Sequence, residues 1–194
     1  LMEGGIDEEL YNAFSYKPHE KGTPITFMYS GLLDRVTGVN LLLEAMKQVK
    51  RRDIRLLISG KGELEDSVRE AARADSRICF LGHLPYEEYI RRLQGVDVLI
   101  NPRDMSLPEN QNNFPSKIMD YLASGKPIIS TKFVGWEKFK ENVFFCESST
   151  DGLSKCLGNA ADRIIDEEAL FCLNREKAER YMWRMQIERI FEKV

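Results

Sequence analysis

The chain has 194 residues, 43% hydrophobic and 30% charged, enough for one large domain with a real core, or one domain with an appendage. A formal net charge of -3 offers no basic excess for nucleic acid or an anionic membrane. No apolar run reaches the roughly 20 residues of a membrane span, and no signal-peptide pattern opens the sequence.

In chain order, Gly4-Gly5-Ile6-Asp7 and the polar residues up to Lys21-Gly22-Thr23-Pro24 read as a linker rich in turn formers. Ile25 to Ser30 is a β-rich run that ends at Gly31. From Gly38 to about Lys50, Leu42, Ala45, Met46 and Val49 recur at helical spacing. Ile54 to Ser59 is a second apolar run closed by Gly60, and Leu64 to Ala74 reads as a charged amphipathic helix. A third strand, Ile78 to Leu81, ends at Gly82, and Pro85 suits the first position of a helix to about Leu93. Asp97 to Pro102 is a fourth strand, followed by a long polar loop from Arg103 to Asn113. Pro115-Ser116-Lys117 then opens a short helix that Gly125 stops, and Ile128-Ile129-Ser130 is a fifth strand. Gly135-Trp136-Glu137 begins a helical or turn segment, and Val143 to Cys146 is a sixth strand. Two helical patterns follow from Asp151, the last running from about Asp166 to Lys193.

Strands that are near-continuous apolar runs, alternating with helices, predict a doubly wound parallel six-stranded α/β sheet covered on both faces, with a long C-terminal helix. The expected division is a linker over 1–24, a sheet domain over 25–165 and a terminal helix over 166–194. Such sheets bind ligands at the carboxyl ends of their strands, where glycine lets a backbone approach closely. Gly31, Gly60 and Gly82 stand at three of those ends. A helix N-terminus suits a phosphate, Lys117 adds a cation there, and Asp120, one turn deeper, can accept two hydrogen bonds from a diol such as a ribose. Together they point to a nucleotide. The same residues also read as an ordinary helix cap at Ser116 and a solvated acid at 120. A dinucleotide dehydrogenase is disfavoured, because no GxGxxG follows the first strand. Cys79, Cys146, Cys156 and Cys172 lie in no ligand spacing, and with only two histidines no metal site is expected; the thiols read as reduced and mostly buried. Trp136, Phe139 and Trp183 read as packing residues, and the apolar stripe of the last helix is expected to be partly exposed.

Phe114-Pro115-Ser116-Lys117-Ile118-Met119-Asp120-Tyr121-Leu122-Ala123-Ser124-Gly125-Lys126-Pro127-Ile128-Ile129 resembles the nucleotide-sugar motif of retaining GT-B glycosyltransferases, the glycosyl transferases group 1 family. Tyr29 to Gly38 resembles that family's first strand–helix turn. Leu56-Leu57-Ile58-Ser59-Gly60-Lys61-Gly62 resembles its Leu-x-Ile-x-Gly-x-Gly, and Phe80-Leu81-Gly82-His83-Leu84 its Phe-x-Gly-x-Val. Gly4-Gly5-Ile6-Asp7 resembles the hinge between its two domains.

The resemblance implies a Rossmann-like domain, the C-terminal, donor-binding half of a GT-B fold, excised from a longer polypeptide whose other half supplies the acceptor site and any general base. The implied enzyme is a retaining glycosyltransferase that moves a sugar from a nucleoside-diphosphate sugar to a glycan or lipid-linked acceptor in surface polysaccharide assembly. It would be cytoplasmic, and peripheral at the inner membrane through the missing half. The alternative is a GT-B-like binding or scaffold domain without donor chemistry. No cofactor is implied, since the sugar nucleotide is a substrate. The implied donor-binding set is Gly31, Leu32, Lys61, His83, Leu84, Asn112, Asn113, Phe114, Pro115, Ser116, Lys117 and Asp120, with Arg103, Glu109 and Arg35 as further candidates and no catalytic residue in this half. Asp120 falls where the family's second acid holds the ribose. Asn112 falls on the first acid, for which Glu109 is a substitute. Leu32 and Thr37 fall on the Arg and Lys that clamp the diphosphate, which leaves Lys117, Lys61, Arg35 and Arg103 to replace them.

Overall fold

Apolar runs too short for helices, each followed by an amphipathic helical pattern, leave the chain one economical arrangement: a sheet with both faces covered. The computed structural model describes residues 5–163 and 167–191 and has that arrangement. Six strands, β1 (Ile25–Ser30), β2 (Ile54–Ser59), β3 (Ile78–Gly82), β4 (Val98–Asn101), β5 (Ile128–Thr131) and β6 (Val143–Cys146), form one sheet in the order β3-β2-β1-β4-β5-β6. Every pairing is parallel. The helices are α1 (Glu8–Asn12), α2 (Val39–Gln48), α3 (Glu65–Ala74), α4 (Tyr86–Gly95), α5 (Pro108–Gln111), α6 (Lys117–Ser124), α7 (Thr150–Arg163), α8 (Glu167–Glu179) and α9 (Trp183–Phe191). A 3-10 turn at Trp136–Phe139 precedes β6.

Side-chain alternation along each strand divides the core in two. Phe27, Tyr29, Leu56, Ile58, Val98, Ile100 and Ile129 face one way and pack with α2, α3 and α7. Met28, Leu57, Leu99, Ile128 and Val143 face the other way and pack with α1, α4 and α6, and with Ala178 at the end of α8. Phe114, Phe133, Phe139 and Phe145 form an aromatic cluster on this second face, with ring centroids 5.4 to 5.8 Å apart.

The structure departs from the expected elements in three places. The segment read as a linker contains α1, capped by the Asp7 carboxylate accepting from Glu9 N at 2.8 Å. The polar loop after β4 holds α5, started by Pro108. The single terminal helix is two, α8 and α9. The chain leaves helical geometry at Tyr181–Met182 because Ile6 N donates to Tyr181 O (2.8 Å) and Ile6 O accepts from Trp183 N (3.1 Å). Leu1 to Gly4, Asp166 and Lys193, on which parts of the linker and terminal-helix expectations fall, lie outside the described residues. Along α9, Trp183, Ile187 and Phe191 keep 42%, 48% and 75% exposure at a spacing of one helical turn, so this apolar stripe is partly exposed among the described residues, with the Trp183 ring lying against Gly5. Among the described residues no disulfide forms, and of the four cysteines only Cys146 is buried, Cys79 and Cys156 being half-buried and Cys172 exposed.

Candidate functional site

The strand order reverses between β1 and β4, and parallel sheets open a crevice at that switch point, outside the strands' carboxyl ends. A cleft of about 920 Å³ lies there. Ser30, Gly31 and Leu32 leave β1 into it, Ser59, Gly60 and Lys61 leave β2, and His83, Leu84 and Pro85 follow β3. Arg103 enters after β4, and Ser116, Lys117 and Asp120 come from the start of α6. The β1–α2 turn keeps its shape through its own bonds. Tyr29 Oη donates to Leu32 O (2.6 Å), Thr37 Oγ1 donates to Leu32 O (2.7 Å), and Asp34 Oδ1 accepts from Thr37 N (2.8 Å). Gly38 begins α2 at φ 79°, where a side chain would run into the Pro102 carbonyl, so the turn seats directly on the end of β4.

Lys117 is half-buried at the floor of this cleft, and its Nζ is shut off from solvent. Its Nζ sits 4.2 Å from the centroid of the Tyr29 ring and has no hydrogen-bond acceptor among the described residues. A Cβ on Gly31 would lie 2.6 Å from that nitrogen, so a side chain there would push the lysine tip from its present place. Burial, and then the nearby charge of Arg103, press the Lys117 ammonium down to about 7, against the opposing pull of Asp34 and Asp120. Arg103 is also half-buried, and burial lowers its pKa from the ordinary value. Its Nη1 donates to Asn110 Oδ1 at 2.9 Å, whereas its buried Nε has no partner among the described residues. Asn110, fully buried, also donates to Val36 O (2.7 Å) and Asp104 O (2.8 Å), tying the β1–α2 turn to the loop after β4 and aiming Arg103 between them.

Asp120, one turn along α6, lines the same cleft and accepts a hydrogen bond from Tyr89 Oη at 3.1 Å. Burial raises its carboxyl pKa, with the Tyr89 bond and Lys117 charge pulling the other way. One oxygen is held by Tyr89, and the group faces space rather than a protein partner, as a diol acceptor must.

The structure brings together Gly31, Leu32, Lys61, His83, Leu84, Arg103, Asn113, Ser116, Lys117 and Asp120 around one cleft. Asn112, Phe114, Pro115, Glu109 and Arg35 do not line it. The Phe114 ring turns into the aromatic cluster, 5.4 Å from Phe133, and Pro115 is buried beside it, so this pair anchors the loop to the core. Asn112 is exposed at the end of α5, and Arg35 and Glu109 pair with each other at 3.7 Å, both largely exposed. Ser116 has helical geometry and no side-chain capping bond, so the ordinary-cap reading does not hold. Two amides of the helix start are already used: Ile118 N donates to Pro115 O (3.0 Å) and Met119 N to Ser116 O (2.9 Å). Positive charge in the cleft therefore rests more on side chains than on the helix terminus. Trp136 packs edge-on against Phe145, away from the cleft. Sequence reading passed over Tyr29, Asp34, Tyr86, Tyr89 and Asn110. Tyr86 and Tyr89 stand one turn apart at the start of α4, a spacing that was legible, whereas nothing local marks Asn110.

A six-stranded parallel sheet with this strand order, opening at its switch point onto a cleft that holds Lys117 and Asp120, defines a Rossmann-like α/β domain. The chain belongs to the glycosyl transferases group 1 family, whose sequence profile matches residues 24–162. It is similar to a probable glycosyltransferase, WbjE, of Pseudomonas aeruginosa, 31% identical over 124 residues, covering 62% of this chain and 30% of that protein. It is also similar to a GDP-mannose-dependent monoacylated alpha-(1-6)-phosphatidylinositol monomannoside mannosyltransferase of Corynebacterium glutamicum, 28% identical over 176 residues, covering 87% of this chain and 46% of that protein. The chain thus spans less than half the length of either relative. A crystal structure of a glycosyltransferase from Rickettsia africae superposes with a TM-score of 0.76 at 16% identity, over 98% of this chain and 55% of that one, and shares the fold. No helix among the described residues is long and apolar enough to cross a membrane.

Proposed function

We propose that this chain is the donor-binding half of a retaining glycosyltransferase that transfers a sugar from a nucleoside-diphosphate sugar to a glycan or lipid-linked acceptor in surface polysaccharide assembly. The observation that carries the reading is the shared cleft of Lys117, Arg103 and Asp120: two desolvated cations for a diphosphate, and an acid one helical turn away for a ribose diol. Preorganised cations in a water-poor site stabilise negative charge that grows on the departing diphosphate, so they speed bond breaking as well as binding. His83 and Leu84 line the β3 end of the same cleft, where the base of the nucleotide would lie. The acceptor and its base would come from an N-terminal half, toward which α8 and α9 would pack, with residues 1–24 as the connecting hinge. In this reading the protein works in the cytoplasm, held at the inner membrane through that half. The named lipid acceptor of the Corynebacterium relative supports the lipid-linked alternative.

The test is thermal unfolding with UDP, GDP, UDP-glucose and GDP-mannose at millimolar concentration. A bound ligand at 100 times its Kd stabilises by about 2.7 kcal/mol, a shift of several degrees, and Asp120→Ala should remove most of it. No shift with any of these ligands would overturn the proposal. A second reading, a binding module without turnover, is favoured by Leu32 and Thr37 at the positions of the family's basic pair. The Thr37 hydroxyl is committed to Leu32 O and can supply no charge. Donor binding without sugar transfer or hydrolysis by the full chain joined to its N-terminal partner would select that reading.

A further inference from the structure

The cleft holds a cation of an unusual kind. Lys117 Nζ is buried against the Tyr29 ring with no acceptor among the described residues, and Gly31 closes over it. An isolated ammonium in such a place is costly unless an anion arrives. The charged and titratable groups that face it come from each neighbouring element: Tyr29 from β1, Asp34 from the turn after it, Arg103 from the end of β4, and Asp120 from its own helix. None of the acids is bonded to it. Asp34 Oδ1 accepts from Thr37 N, and Asp120 accepts from Tyr89.

Building on the donor-binding reading, we infer that Lys117 takes up a proton as the diphosphate of the donor enters, which makes it the residue that selects a pyrophosphoryl ligand by charge. The step is a simple proton balance: the amine gains one proton from solvent or buffer, no covalent bond changes, and the new ammonium turns from the Tyr29 face toward the anion on its flexible stem. Arg103, always charged, supplies the first attraction, and after burial its charge is the next cause that lowers the Lys117 ammonium's pKa in the empty cleft. The sign is set by the direction of the shift. With the empty-site amine pressed down to about 7, the free protein carries most of that proton below neutrality and little of it above. The bound anion raises the amine's pKa again, so uptake occurs above neutrality and vanishes below it.

Calorimetric titration of the full chain with UDP-glucose and GDP-mannose, in buffers of differing ionisation enthalpy, measures the protons taken up per ligand. Sugar nucleotides suit this because they lack the terminal phosphate proton that titrates near pH 6 in UDP and GDP. For an amine titrating near 7, uptake should rise from about 0.1 at pH 6 to about 0.9 at pH 8, with affinity falling roughly tenfold per pH unit above that point. Lys117→Arg should bind with no uptake and a flat pH profile, and Lys117→Met should bind at least tenfold more weakly, also with no uptake. Binding by the native chain with no buffer-dependent heat overturns the inference and leaves the donor reading intact. Uptake that survives in a folded Lys117→Met assigns the proton to another group of the cleft, and overturns it as well. No binding of either sugar nucleotide at any pH overturns the donor reading, and this inference with it.

Discussion

Asp120 and Lys117 stand one helical turn apart on α6, and each carries a charge that its surroundings disfavour. Sites that bind charged ligands are often strained in this way, because groups must stay unpaired until the ligand arrives. For Asp120 the consequence is measurable. Its folded-state carboxyl pKa lies above the unfolded value, so the native state binds the proton more tightly and loses stability as pH rises through that window. Asp120→Asn removes the cost while keeping an acceptor for Tyr89. It should raise the melting temperature at pH 7, with the gain fading as pH falls below about 4, where the native acid is protonated in both states. The same variant should bind a nucleotide at least tenfold more weakly, since a neutral amide is a poorer acceptor for two hydroxyls. An unchanged melting temperature at pH 7 would mean that Asp120 is better solvated than its burial implies. Lys117 and Asp120 were legible because Pro-Ser-Lys-x-x-Asp places both within one turn of a helix start. Tyr29 and Asn110 were not, because what matters in each is the partner brought by distant chain: Lys117 for one, Val36 O and Arg103 for the other.

At the scale of elements, helix ends decide where the cleft walls stand. Carbonyls at the C-terminus of α2 and in the loop just after it are gathered by one buried side chain from the start of β3. Arg77 donates to Met46 O (2.8 Å), Val49 O (2.5 Å) and Arg51 O (2.8 Å), and pairs with Asp75 at 2.6 Å. These bonds satisfy carbonyls that a helix end leaves open and hold α2, hence the β1–α2 turn, in register with β2 and β3. Arg77→Met should cost about 3 kcal/mol or more in chemical denaturation, because the carbonyls and the Asp75 carboxylate lose their donor together. A loss below about 1 kcal/mol would show that water replaces the guanidinium at little cost. Strand and helix positions were readable along the whole sheet because apolar runs and helical periodicity are local properties. The break between α8 and α9 was not. Residues from Asp166 to Lys193 carry one continuous helical pattern, and it is the Ile6 backbone, far away in sequence, that draws Tyr181 and Met182 out of it.

For the molecule as a whole, the sheet is the partition. Ile54 packs with the cluster that includes α2 and α7, and Ile118 with the cluster that includes α1 and α4, on the opposite face. Ile54→Val and Ile118→Val should each cost about 0.5–1.5 kcal/mol, and the double variant should lose their sum to within about 0.5 kcal/mol. A larger departure measured by denaturant unfolding would mean that the two cores repack through the sheet. Family membership and fold follow from the whole molecule as well: the sheet order, the profile match over residues 24–162 and the superposition on a solved glycosyltransferase agree, whereas any single glycine-ended strand carries little.

By itself the amino-acid order determined the parallel α/β class, the places of all six strands, the short helix that carries Lys117 and Asp120, and the mouth that three glycine-ended strands make. Each of these depends on periodicity or on neighbours a few residues apart. Only the tertiary structure decided which candidates face the cleft: it turned Phe114 into the core, spent Arg35 and Glu109 on each other, and sank Lys117 beneath Gly31 against Tyr29. Burial is a property of the assembled chain. It is burial that turns an ordinary lysine into a group whose charge depends on what enters the site.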